Sequence, residues 1–450
     1  MNEHWKFDTL KVRAGYDAHD HGLANAVPIY QTASFELDGV ERAQRLNTFQ
    51  EAGHVYSRLT NPTVQVLEKR IAALDHGMAA LAVGSGMAAV SYSLLNIAEG
   101  GGEILVTPNL YGGTFNSFKK IYPKFGVHIG IIDTPSGPES IERQIGSDTR
   151  AIFLESISNP DAELYDVDAI AQVAHRHGIP LVVDNTIATP YLFNPLDHGA
   201  DIVVYSLTKG ISGHGNAIGG MIVEGGRFNW GNGRFPQFSE LDYNLKDKDG
   251  HSRSILDVFP DSPFVARVRS IYINFFGSTL SPFNAYLTLL GLDTLSERLR
   301  KQVSSAEQVV QYLEAHPRVE WVHHPSSSSS PFRDLANRNF PRGSGAVLAF
   351  GFKGTRQERD RFLNAAQLFG YQANIGDVHS LIINVADTTH REYTPEERER
   401  AGFSSNTIRL SIGLEDAEDL IADLDQAFTH ALEQNEELST QPVSAEPSLA

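Results

Sequence analysis

Val203-Val204-Tyr205-Ser206-Leu207-Thr208-Lys209-Gly210-Ile211-Ser212-Gly213-His214-Gly215-Asn216 runs from an apolar, β-branched segment into a glycine-rich turn through two hydroxyls and a lysine. The first part reads as a buried strand, and Ser206 marks where it emerges. Two hydroxyls beside the emergence point suit an anionic ligand. A lysine there is costly to bury unless its amine is neutralised, paired or used covalently. The plain alternative is a surface lysine in a loop, the common fate of that residue. The sequence on either side decides between them.

Working outward, short β-branched runs alternate with helical periodicity. Strands are expected at residues 103–106, 127–132, 151–154, 180–183, 202–205 and 217–223, and helices at 63–74, 87–98, 114–125, 140–145 and 167–177. This alternation builds an α/β fold, a mostly parallel sheet covered on both faces, with ligands at the carboxyl ends of its strands. Glu155, Asp184 and Ser206 end three of these runs. Asp184, in Val183-Asp184-Asn185-Thr186, suits a turn cap, a metal or a protonated heterocyclic nitrogen. No His or carboxylate cluster nearby has metal-ligand spacing, so no metal is expected.

Gly84-Ser85-Gly86-Met87-Ala88-Ala89 opens a helix, where free amides and the helix dipole suit a phosphate. Its spacing also matches a loose dinucleotide fingerprint with Glu103 downstream, so a nicotinamide or flavin oxidoreductase stands as a rival. Tyr111-Gly112-Gly113-Thr114 sets an aromatic ring ahead of a helix start, suited to stacking on a flat cofactor. Arg409 lies in the apolar run Ile408-Arg409-Leu410-Ser411-Ile412, where a guanidinium needs an anion, either a bound carboxylate or an internal partner.

The 450-residue chain has a formal charge of −18 and no cysteine. That charge argues against nucleic acid or an anionic membrane as partner. The missing cysteine excludes disulfides, thiolate metal sites and cysteine nucleophiles. The first residues lack a secretory pattern and no apolar run is long enough for a bilayer, so a soluble, cytoplasmic protein is the expectation.

Four regions are expected. Residues 1–62 form an arm too polar for its own core, and it ends at Tyr56-Ser57-Arg58-Leu59-Thr60-Asn61-Pro62-Thr63. Residues 63–262 form a ligand-binding domain, in which 226–262 reads as a surface insertion of the kind used as a lid. Residues 263–433 form a smaller α+β domain, joined by one long helix over 282–313 and containing a flexible serine loop at 326–330. Residues 434–450 read as a disordered tail.

A lysine for a Schiff base, a carboxylate for a ring nitrogen, a stacking aromatic, a phosphate cradle and an arginine for a carboxylate are together what pyridoxal phosphate requires. On these motifs the chain resembles the Cys/Met-metabolism family of pyridoxal-phosphate enzymes. That resemblance implies fold type I, with a mostly parallel seven-stranded sheet and a smaller C-terminal α+β domain. It makes Lys209 the Schiff-base lysine, pairs Asp184 with the ring nitrogen and stacks Tyr111 on the ring, all three catalytic. Ser85, Gly86, Met87, Asn159, Thr186, Ser206 and Thr208 are implied around the cofactor and its phosphate. Tyr56 and Arg58 are implied to reach it from a neighbouring subunit, in a homodimer or homotetramer. Arg409 is implied to take the substrate carboxylate, with Asn159, Ser380 and Tyr56 close by.

The implied reaction is γ-replacement on O-acetyl-L-homoserine, with a small amino acid and sulfide or a thiol as partners. Cystathionine synthesis or cleavage, methionine-type elimination and an O-succinyl donor are the alternatives within the family. Gly226-Arg227-Phe228-Asn229-Trp230 and Ala373-Asn374-Ile375-Gly376-Asp377 favour the sulfhydrylase branch; glycine at 113 counts against methionine γ-lyase, which carries cysteine there, and the cystathionine enzymes as a rule lack the insertion. Two departures are expected to bear on the acyl group or nucleophile accepted. Asn384-Val385-Ala386-Asp387-Thr388-Thr389-His390 replaces His-Pro-Ala-Ser-Thr-Thr-His, and Ile273-Asn274-Phe275-Phe276-Gly277 replaces the usual Leu-Arg-Asp.

Overall fold

A computed structural model describes residues 5–132, 137–247, 249–391 and 393–432; the tail expected at 434–450 lies outside them. The ligand-binding part begins at the helix Pro62–Leu74. Asn61 accepts a hydrogen bond from the Thr63 amide at 3.0 Å, and proline occupies the first turn. These features start the helix where the Asn-Pro pair predicts. Its face of Val64, Leu67, Ile71 and Leu74 is buried, as the spacing requires.

Seven strands follow: β1 Ala79–Val83, β2 Gly102–Val106, β3 Val127–Ile131, β4 Thr149–Glu155, β5 Leu181–Asp184, β6 Ile202–Ser206 and β7 Gly220–Glu224. They form one sheet in the order β1-β7-β6-β5-β4-β2-β3, with β7 antiparallel to both of its neighbours and the remaining pairs parallel. Apolar clusters cover both faces. Strand β1 is absent from the sequence expectation. Its run Ala79-Ala80-Leu81-Ala82-Val83 has helix-forming composition, and pairing with β7 overrides it.

A hairpin, β8 Leu241–Lys246 and β9 Ser252–Ser254, lies in the insertion. The insertion is not a lid over the cavity described below. Trp230, Phe235 and Phe238 are buried in the core on one sheet face, with Trp230 stacked on Phe264 at 4.9 Å between centroids. The aromatic residues that opened the segment were core signals.

The second sheet holds β10 Val319–His323, β11 Val347–Phe352, β12 Gly370–Tyr371, β13 Leu381–Asn384 and β14 Thr407–Ser411, in the order β10-β11-β14-β13-β12. The helix expected over 282–313 is two helices, Pro282–Asp293 and Leu295–Ala315, broken at Thr294. The serine run is anchored: Ser327 is fully buried and donates to Glu314 Oε1 at 2.7 Å. Among the described residues no helix is long and apolar enough to cross a membrane.

Beneath the first sheet lies a buried polar chain. The Tyr205 hydroxyl donates to Asp75 Oδ1 at 2.6 Å, Asn185 Nδ2 donates to that hydroxyl at 3.0 Å, and Ser156 Oγ donates to Asn185 Oδ1 at 2.6 Å. Burial pushes the Asp75 carboxyl from 3.8 up to about 8. Between those values the folded chain holds a proton that the unfolded chain releases. Stability therefore falls as pH rises through that window, by up to about 1.4 kcal/mol per pH unit. Urea midpoints measured from pH 5 to 8 are expected to fall less steeply in Asp75→Asn than in the parent chain. Equal slopes would remove Asp75 from the pH dependence.

Candidate active site

The parallel register sets Glu155 beside Asp184, and both reach the carboxyl edge of the sheet next to Ser206. Thr186 fixes this corner. Its amide and hydroxyl both donate to Asp184 Oδ1, at 3.0 and 2.5 Å, while its hydroxyl accepts from the Ser206 amide at 2.8 Å. Burial pushes Asp184 up to about 6, against the pull of those Thr186 bonds. Glu155 is driven well above the carboxylate range by burial and by the neighbouring Asp184.

The helix Gly86–Ile97 points its N-terminus at the same corner. Ser85 caps it by accepting from the Ala88 amide at 3.1 Å. A Cβ on Gly86 would lie 2.6 Å from the Ser206 Cβ, so only glycine lets the helix start sit against the end of β6. Thr208 is held by the Gly219 amide, which donates to its hydroxyl at 3.2 Å. The result is a cradle of amides and hydroxyls shaped by a close backbone approach, which fits a phosphate group.

Lys209 follows the cradle directly. Its amine donates to Asn374 Oδ1 at 2.6 Å, and burial, with the charge of Arg409, brings its pKa down to about 8. Arg409 comes from β14 of the other sheet. It is 3% exposed, and it donates to Asn159 Oδ1 at 2.9 Å and to the Asn374 carbonyl at 3.1 Å. Both partners are neutral. Burial lowers its pKa to about 10.

The helix Leu295–Ala315 ties these two halves together from one face. Arg298 donates to the carbonyls of Gly210 and Ile211 at 2.8 and 3.0 Å, while Gln302, one turn on, donates to those of Asp377 and Ile412 at 2.8 and 3.1 Å.

Tyr111 precedes the helix Gly112–Lys120, and its amide donates to Glu155 Oε1 at 2.5 Å. A Cβ on Gly113 would fall 2.5 Å from the Tyr111 ring, and one on Gly112 would fall 2.1 Å from the Thr389 carbonyl oxygen. The tyrosine ring is therefore seated against Gly113, where a cysteine would displace it, and Gly112 lets the helix start approach the Thr389 carbonyl.

A cavity of about 210 Å³ gathers most of the residues singled out from the sequence: Ser85, Gly86 and Met87; Tyr111 and Asn159; Asp184 and Thr186; Ser206, Thr208 and Lys209; and Arg409. Three others lie outside its lining. Arg58 donates to the Asn274 carbonyl at 2.6 Å and sits 5.6 Å from the centre of the Tyr56 ring, which is exposed. Ser380 is buried elsewhere, donating to Glu415 Oε2 at 2.8 Å and accepting from the Gly413 amide at 2.8 Å.

Both sequence departures also lie outside the lining, Thr389 excepted. Asn384 joins β13 to the turn before β14, donating to the Ser405 and Thr407 carbonyls at 2.8 and 3.0 Å. It also accepts from the Asp387 amide at 2.9 Å. Asn274 receives Arg58, and Phe275 and Phe276 are exposed.

Sequence reasoning missed Asn374 as a site residue. The signal was its place in Ala373-Asn374-Ile375-Gly376-Asp377, which served only as a family mark. Glu155 ends its strand in the sequence, and the bond it accepts from the Tyr111 amide gives it a task.

A depressed lysine, a strand-end carboxylate, a seated aromatic ring and a phosphate cradle around one cavity define a lysine-dependent pyridoxal-phosphate enzyme. The family described as Cys/Met metabolism PLP-dependent enzyme matches residues 8–429, and the chain belongs to it. Pyridoxal 5′-phosphate is its cofactor, and its fold is type I.

Among its relatives are an O-acetyl-L-homoserine sulfhydrylase from Leptospira meyeri, 40% identical over 95% of this chain and 98% of that protein, and one from Thermus thermophilus, 41% identical over 94% and 100%. A homocysteine synthase from Schizosaccharomyces pombe is 41% identical over 94% of this chain and 98% of its own length. A crystal structure of a Campylobacter jejuni protein described as a putative O-acetylhomoserine (thiol)-lyase superposes with a TM-score of 0.89 at 36% identity, covering 94% of this chain and 100% of that one. It carries N′-pyridoxyl-lysine-5′-monophosphate.

The dinucleotide rival falls on family and on geometry. Glu103 lies at the amino end of β2, away from the carboxyl edge where a ligand binds, and β1, the strand before the Gly84–Ala89 turn, pairs antiparallel with β7.

Proposed function

We propose that this chain replaces the acetoxy group of O-acetyl-L-homoserine with sulfide, or with methanethiol. The Cγ–O bond breaks, a Cγ–S bond forms, and the products are acetate and homocysteine or methionine. The observation that carries the reading is Arg409, a buried guanidinium with only neutral partners, in the same cavity as the Lys209 amine. A buried cation of this kind is stabilised by an anion, and an amino-acid carboxylate supplies one. The names of the relatives support the acyl donor.

When bound, pyridoxal phosphate supplies an electron sink for the Cα–H bond of the substrate. Ser85, Gly86, Met87, Ser206 and Thr208 would hold its phosphate, Asp184 its ring nitrogen, Tyr111 its face, and Thr186 and Asn159 its edge. Lys209 would carry it covalently and, once freed, move protons at Cα and then at Cβ. A lysine with a pKa of about 8 has a usable neutral fraction near neutral pH. Arg409 anchors the carboxylate, with Asn159 fixing its guanidinium.

Tyr56 and Arg58 lie outside the cavity of their own chain. This supports the reading of 1–62 as an arm whose end serves the cavity of a neighbouring copy, in a homodimer or a homotetramer. In the same reading residues 63–262 form the cofactor domain and 263–433 the C-terminal domain. The charge of −18 and the small polar substrates support a role in the cytoplasm, with no nucleic acid or membrane as partner.

Product analysis with O-acetyl- and O-succinylhomoserine, each with and without sulfide, tests the proposal. Homocysteine and acetate in equal amounts from the acetyl ester, dependent on sulfide, are expected. Ketobutyrate formed at the same rate without a thiol, or a preference for the succinyl ester, would overturn it.

A further inference from the structure

Lys209 and Arg409 come from different sheets, and Asn374 touches both. The lysine amine donates to its side-chain oxygen at 2.6 Å, and Arg409 donates to its backbone carbonyl at 3.1 Å. The segment carrying Asn374 is pressed onto the lysine loop. Gly376 has φ +70°, and a Cβ there would lie 2.6 Å from the Gly210 amide nitrogen. The Gly376 amide donates to Ser411 Oγ at 2.9 Å, and Gln302 holds the Asp377 carbonyl at 2.8 Å. The backbone of the Asn374 segment is therefore set in place by contacts that do not involve the lysine amine.

We propose that the Asn374 side-chain oxygen is the docking point of the Lys209 amine whenever that amine is not bonded to the cofactor, which makes Asn374 a positioning residue for proton transfer by Lys209. The inference rests on Lys209 being the cofactor lysine. A free lysine amine has four rotatable bonds, and one strong acceptor in a low-dielectric cavity removes much of that freedom. An amide suits the task because it accepts from an amine and from an ammonium alike. A carboxylate would hold the ammonium and take the base away.

The other charged and titratable groups around the amine are Arg409 on β14, Asp184 and Glu155 at the ends of β5 and β4, and Tyr111 before its helix. Arg298 lies behind the loop on the Gly210 carbonyl, and the Asp377 carboxylate lies beside Gly215.

The test compares full-length, cofactor-loaded Asn374→Ala and Asn374→Asp with the parent chain. L-Norleucine, which has no leaving group, serves as probe. Its α-proton exchange in D₂O is followed by NMR across pD, and its binding by the change in cofactor absorbance. A third readout is the rate at which stripped protein takes up added pyridoxal phosphate.

For Asn374→Ala, exchange and uptake are both expected to fall roughly 10-fold, the effect of one lost hydrogen bond to a charged group. Norleucine binding stays within about 2-fold, because the backbone carbonyl that holds Arg409 remains. For Asn374→Asp, exchange returns at high pD with its midpoint raised by about one unit. Exchange at the parental rate in Asn374→Ala would overturn the proposal. So would parallel loss of exchange and binding in both variants with an unmoved midpoint, since that is the pattern of a merely structural residue. A Lys209→Ala protein that still held its cofactor covalently would instead overturn the underlying reading.

Discussion

Lys209→Ala is expected to lose the visible absorption of covalently held pyridoxal phosphate and to turn over about 10⁴-fold more slowly, the upper range for removing a positioned base that also serves as a covalent carrier. Absorbance spectra and steady-state rates check the two losses separately. The amine sits at the end of β6, with Asp184 beside it on β5 and the phosphate cradle directly before it. Among the described residues no other lysine lines the cavity. A variant that kept both the band and half the turnover would mean that the chemistry happens elsewhere.

Arg409→Leu is expected to raise KM for the amino-acid substrate about 10²- to 10⁴-fold while leaving KM for sulfide nearly unchanged. Two charge-assisted hydrogen bonds to a carboxylate, at about 1.5–3 kcal/mol each, set that range. Arg409→Lys recovers only part of the loss, because an ammonium lacks the planar fork. Stability responds differently. In the absence of substrate the guanidinium is a buried charge held by two neutral oxygens, so leucine is expected to leave the urea midpoint equal or higher. Steady-state kinetics and urea unfolding on the same protein check both statements. A KM within about 3-fold of the parent would remove Arg409 as the carboxylate anchor.

The cofactor half of the site was legible because its chemistry falls at strand ends, and strand ends show in sequence as β-branched runs that stop at a polar residue. Val183-Asp184 and Tyr205-Ser206 are such stops, and Gly86 declares a close backbone approach. The substrate half was less legible. Arg409 stood out as a charge inside an apolar run, whereas Asn374 is a loop residue whose role comes from Gly376 packing on Gly210, a contact far apart in sequence. Ser380, read as a substrate residue, is engaged by Glu415 and Gly413, partners that no local pattern reveals.

The two departures illustrate the same limit. Asn384 differs in a stretch implied to lie near the substrate, yet its side chain braces the turn between β13 and β14. The insertion at 226–262 was polar enough overall to read as a lid, and its few aromatic residues decided otherwise by packing into the core. At the level of single elements, β1 and the break at Thr294 were hidden because alanine-rich strands and single-residue helix breaks leave almost no periodic signal.

The central claim is that Lys209 holds the cofactor in the cavity it shares with Arg409. Borohydride reduction of the loaded protein, followed by peptide mass spectrometry, tests it most directly. The account predicts a single pyridoxyl-phosphate adduct on the peptide containing Lys209; an adduct on a different lysine, or none at all in protein saturated with cofactor, would contradict it.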